Sequence, residues 1–148
     1  MSDGLGAREL HRALTLHQSG DLAGAGAAAS AALEAFSEAS DRTGTAAAHH
    51  ILFLVRAGEG RLDEADQHLS AALALRESTG DREGMVALHN QRFALALQRG
   101  NAAAARESAE ALLAAVEATG DREGTAAAIH RLLQFVIQEG DMARAEQL

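Results

Sequence analysis

The residues of this chain best suited to chemistry are its seven histidines, above all the adjacent His49 and His50 together with His89 and His130. Imidazole nitrogens converging on one point would hold a divalent metal through bonds of ~2 Å. Their placement argues against such a site. His50 and His130 fall two repeats apart in the periodic pattern described below, and with neighbouring helix axes ~8–10 Å apart their rings are separated by nearly twice that distance. His49 and His50 point to different sides of one helix, which leaves an intermolecular or cross-helix pair such as His11 with His50 as the feasible arrangement. We expect no metal and no cofactor. Nucleophilic or acid–base catalysis has no support either: there is no phosphate-cradling glycine loop, no His-Glu-x-x-His run and no serine in a strand-to-helix elbow. The acids fall mainly at helix starts and on outer faces rather than in pairs within a dry cleft, so we expect a non-enzyme.

Composition narrows the classes further. At 148 residues and 47% hydrophobic content the chain can bury a core as one domain, 1–148. It has no cysteine, which excludes disulfides, thiolate metal sites and cysteine nucleophiles. A net charge of -8 offers no general attraction to nucleic acid, and no apolar run approaches the ~18–20 residues of a membrane helix. The start, Met1-Ser2-Asp3-Gly4-Leu5, lacks the cationic and apolar regions of a signal peptide, so a cytoplasmic location is expected. All 13 basic residues are arginine, which with the heavy alanine load resembles a high-GC bacterial genome. Proline is absent and aromatics make up 3%, a mix that favours helix over strand, and we expect an all-α fold.

The elements that position these side chains repeat. Gly20, Gly60, Gly100 and Gly140 recur every 40 residues, as do Ala25, Ala65, Ala105 and Ala145, and Gly4, Gly44, Gly84 and Gly124. A boundary phrase, Ser40-Asp41-Arg42-Thr43-Gly44, returns as Gly80-Asp81-Arg82-Glu83-Gly84 and Gly120-Asp121-Arg122-Glu123-Gly124. The repeats are therefore 1–40, 41–80, 81–120 and a truncated 121–148. Each begins with a helix A, illustrated by Ile129, Leu132, Leu133, Val136 and Ile137 at three- and four-residue steps. The glycine in mid-repeat ends it, and a helix B follows, as in Leu62, Ala65, Leu69, Ala72 and Leu73. Gly80 and Gly120 suit a left-handed C-terminal cap, while Asp41, Asp81 and Asp121 suit the next N-cap. Gly44, Gly84 and Gly124, in the first turn of helix A, predict a close approach by the preceding helix B. In the fourth repeat helix B is expected to start at Asp141 and to stop short at Leu148.

Antiparallel helix pairs with Gly60-Arg61-Leu62-Asp63-Glu64-Ala65 at the turn, followed by Leu69, Ala72 and Leu73, resemble the tetratricopeptide repeat over the whole chain. The 40-residue step and the Gly-Asp-Arg-x-Gly boundary resemble its kinesin-light-chain-like variety. Helix A departs from the family pattern: its aromatic column reads Glu9, His49, His89 and Ile129, and its glycine column reads Ala13, Phe53, Phe93 and Leu133. The resemblance implies a right-handed α-solenoid of three full repeats and a truncated fourth, with a concave groove lined by the A helices. It also implies a protein–protein interaction module that takes a partner peptide or helix in that groove, at His50, Asn90, His130, Leu54, Leu97, Gln98, Gln134 and Ile137. The groove columns contain no lysine or arginine to clamp an acidic tail.

Two alternatives stand beside this reading. The last helix A lacks most of its covering partner, and self-association through Ile129, Leu133, Phe135, Val136, Ile137 and Leu148, most simply as a homodimer, would make the chain an assembly unit. Otherwise it is the ligand-sensing fragment of a larger bacterial regulator. The N-terminal repeat, with little bulk in Leu22-Ala23-Gly24-Ala25-Gly26, is expected to be the least stable.

Overall fold

Alanine-rich segments separated by glycine turns form helices at most of the places where the periodicity puts them. The computed structural model describes the backbone of residues 4–147 and the side chains of residues 4–140 and 146. Among them are seven helices and no strand: α1 (Leu5–Gln18), α2 (Leu22–Glu38), α3 (Arg42–Gly58), α4 (Leu62–Thr79), α5 (Arg82–Gln98), α6 (Ala102–Thr119) and α7 (Arg122–Gln147). This is an all-helical repeat fold. None of the described helices is long and apolar enough to cross a membrane.

The helices form two compact units, Met1–Asp81 and Arg82–Leu148, whose border lies one residue past the sequence repeat boundary after Gly80. In the first unit, α1 packs on α2, α2 on α3 and α3 on α4, and α1 also touches α3. Its core joins Ala13, Ala25, Ala28 and Ala29 to Ile51, Leu52 and Val55. Small residues on α1 and α2 let the larger side chains of α3 fill the space between the helices, and packing of this kind supplies most of the helical stability. In the second unit α5 packs on α6 and α6 on α7. Phe93, Ala96, Ala105, Ala109 and Phe135 form one core cluster; Leu112, Val116 and Ala128 form another.

Turns within a repeat and turns between repeats use the same chemistry. After α3 the Gly60 amide donates to the Ala57 carbonyl and the Arg61 amide reaches back to Arg56, with Gly60 at φ 78°. After α2 the Asp41 amide reaches the Phe36 carbonyl in the same way. Both satisfy carbonyls that a helix end would otherwise strand. The following helix is capped by a side chain: the carboxylate Oδ1 of Asp41 accepts from the Gly44 amide at 2.9 Å, and that of Asp121 accepts from Gly124 at 3.0 Å. Asp21 and Asn101 cap α2 and α6 similarly. At Asp81 the carboxylate Oδ2 also lies 3.1 Å from the Arg76 guanidinium, an ion pair at the end of α4. The boundary arginine has a role too, since Arg82 Nη1 donates to the Ala118 carbonyl at the end of α6. The approach expected at Gly44 is present: the Phe36 ring of α2 lies over both Gly6 and Gly44, where a Cβ would run into it.

One expectation is corrected. No reversal occurs at Gly140, and α7 continues as a single helix of 26 residues through Gly140. A reversal is repaid when the returning helix buries an apolar face, whereas residues 141–148 offer little bulk beyond Met142 and Leu148. Continuing the helix instead adds a hydrogen bond for each residue fixed.

Candidate functional site

Successive residues of a helix are about 100° apart, so α7 divides into three faces. Ala128, Leu132 and Phe135 turn inward. His130, Gln134 and Gln138 form an exposed polar row. Ala126, Ile129, Leu133, Val136 and Gly140 form an exposed apolar row, with Ile137 on its border with the polar row. α5 carries an exposed face of similar character in Asn90, Ala94, Leu97 and Gln98, with Leu97 49% exposed.

Between these helices lie two clefts. One, of about 470 Å³, is lined by Asn90 and Arg131 over a floor that includes Val86, Leu112 and Val116, with Glu83 and Asp121 at hand. The other, of about 420 Å³, joins Leu97 and Phe135 to Gln138 and Glu139. The Arg131 guanidinium stands 5.4 Å from the centre of the Phe93 ring, and Phe93 meets Phe135 edge-on at 6.1 Å. These contacts hold α7 against α5 and fix the spacing of the two clefts. Asparagine and glutamine both donate and accept, so the exposed rows suit the backbone of a bound segment, while Leu97 and Ile137 supply apolar anchors.

The expected binding residues thus divide between the units. Asn90, Leu97 and Gln98 of α5 and His130, Gln134 and Ile137 of α7 lie on the exposed faces just described. His50 and Leu54 belong to α3 in the first unit and are half-buried; the His50 ring stacks on Phe53 with centroids 6.4 Å apart. Of the expected self-association residues, Ile129, Leu133, Val136 and Ile137 are exposed, and Leu148 lies outside the described residues. Phe135 is a correction: it is buried against Phe93, because its place on the helix turns it toward α5 and α6.

The histidine arrangement that emerges is one the sequence reading missed. His49 of α3 and His68 of α4 bring their Nδ1 atoms to 3.0 Å, so one ring donates and the other accepts. Burial, and then the neighbouring imidazole, pushes the His49 pKa below the ordinary 6.5. Burial also lowers His68, as does the Arg56 guanidinium, against a smaller opposing pull from Glu64. Counting outward from Gly60, with 11 residues back to His49 and 8 forward to His68, was the available signal. Among the described residues no three histidine, aspartate or glutamate side chains are placed to hold a metal ion.

No protein-family model matches this chain, and no curated protein matches it. Among solved structures it is similar to the crystal structure of BtubC (BKLC) from P. vanneervenii, with a TM-score of 0.70 and 14% sequence identity over 95% of this chain. The match spans 66% of the BtubC chain. At that identity the likeness establishes a shared helical-repeat fold.

Proposed function

We propose that this chain is a non-catalytic protein–protein interaction module of the tetratricopeptide type, kinesin-light-chain-like in its period, which binds a helix or extended peptide of a partner protein on its A helices. The observation that carries the reading is the pair of exposed faces on α5 and α7. There Leu97 and Ile137 stand among Asn90, Gln98, Gln134 and Gln138, beside two clefts of peptide side-chain size. The 40-residue repeat and the helical-repeat likeness to BtubC support the fold assignment on which it rests. A net charge of -8 favours a protein partner over nucleic acid.

Selection from a displayed random-peptide library tests it, followed by titration of a chosen peptide against wild type and against Asn90→Ala combined with Leu97→Ala. The double variant weakens binding at least about tenfold if these side chains are anchors. Failure to select any peptide, or selected peptides indifferent to the double variant, refutes the reading.

A further inference from the structure

Helix α7 presents an apolar row that its counterparts in the earlier repeats keep covered. The column Ala13, Phe53, Phe93 and Leu133 is 0%, 5%, 6% and 55% exposed in turn. In the first and third repeats that column packs on the helix B of its own repeat: Ala13 clusters with Ala25 and Ala29 of α2, and Phe93 with Ala105 and Ala109 of α6. In the fourth, α7 runs on through Gly140, where the earlier repeats turn. Ile129, Val136 and Ile137 stand beside Leu133 at 41%, 40% and 61% exposure.

We infer that this face pairs with the same face of a second copy, α7 against α7 in antiparallel about a two-fold axis at Leu133. The row is nearly its own mirror about that residue. Four positions to either side lie Ile129 and Ile137, and seven to either side the small Ala126 and Gly140, the latter with open space where a Cβ would stand. A two-fold contact requires such self-complementarity, because each residue must fit the patch it belongs to. Charge points the same way. The chain carries -8 overall, yet no aspartate or glutamate occurs from Gly124 to Gln138, so two copies meet there without the repulsion their other surfaces would bring. An exposed apolar patch of a few hundred Å² is enough to mark an interaction surface. With the flanking His130 and Gln134 from both copies, the contact reaches on the order of 1,000 Å² in total, the lower end of specific interfaces, and a partner peptide that engages Ile137 and Gln134 competes with it. A dimer that forms in the micromolar range and dissociates on dilution is the consequence.

Sedimentation equilibrium of the chain from about 5 to about 200 µM reads this directly. Wild type moves from monomer to dimer mass, while Leu133→Glu and Ile129→Glu, both at exposed positions, bind themselves at least tenfold more weakly with unchanged circular dichroism. Ala74→Glu, on the exposed face of α4, leaves the dimer intact. Orientation is read by oxidation, since the chain has no cysteine of its own. Leu133→Cys forms a disulfide-linked dimer, and Ile129→Cys cross-links to Ile137→Cys in a mixture faster than to itself. A strict monomer at 200 µM, a dimer that survives Leu133→Glu, or efficient Ile129→Cys self-linkage overturns the proposal.

Discussion

Gly44→Ala sets two effects of known size against each other. Alanine is favoured over glycine inside a helix by about 0.8–1.0 kcal/mol, so on propensity alone the variant gains stability. The structure reverses that sign. Phe36 of α2 lies over Gly44 of α3 and over Gly6 of α1 at once, so a new Cβ at Gly44 displaces the ring from its place between the two helices. Overpacking of this kind costs about 1–3 kcal/mol, and because the ring packs over both glycines we place it in the upper half of that range. The expected net loss is about 1–2 kcal/mol, or a fall in melting temperature of a few degrees for a chain of this length. Urea unfolding followed by circular dichroism measures it, provided the slope of the transition is unchanged. The decisive step is a double-mutant cycle. In a Phe36→Leu background the obstruction is relieved, and Gly44→Ala becomes neutral or stabilising, giving a coupling of at least about 1 kcal/mol. A stabilising Gly44→Ala in the wild-type background, or a coupling near zero, refutes the account of why a glycine stands there.

The same substitution at two other glycines separates a turn from a continuing helix. Gly60→Ala, at φ 78°, costs about 1–2 kcal/mol in urea unfolding, whereas Gly140→Ala preserves or increases helix content, and an equal loss at both would place a reversal at Gly140. For the His49–His68 pair the sign follows from the lowered pKa values. The unfolded chain binds protons near 6.5 more readily than the folded one, so stability is fully present above that pH and declines as pH falls toward the depressed folded values. His49→Gln flattens the stability profile between neutral pH and pH 5, and a wild-type profile that does not fall across this window rules out the pair as its source.

Much of the fold was legible because the glycines and capping residues act locally. A left-handed turn at Gly60 and a carboxylate one turn before Gly44 need only their neighbours along the chain, and both occur where the 40-residue step places them. Asp81 adds what local reasoning does not supply: its sequence context matches that of Asp41, and its Oδ2 also meets the Arg76 guanidinium of the preceding helix. The exposure of the candidate binding residues was legible in part for the same reason. Asn90, Leu97 and Gln134 are exposed, as their helical positions indicate, while Phe135, one residue beyond Gln134, turns inward to meet Phe93. That inversion depends on the direction in which α7 lies against α5 and α6, a quantity no spacing along one helix contains.

The sequence by itself determined the period, the turns that separate α1 to α7 and the exclusion of thiol chemistry, since each depends on which residues are present and on interactions spanning a few positions. Only the tertiary structure decided that Phe36 guards two glycines, that His49 meets His68 across α3 and α4, and that α7 runs straight through Gly140 with Leu133 uncovered. Those outcomes depend on which apolar faces find a partner, and burial is a property of the assembled helices.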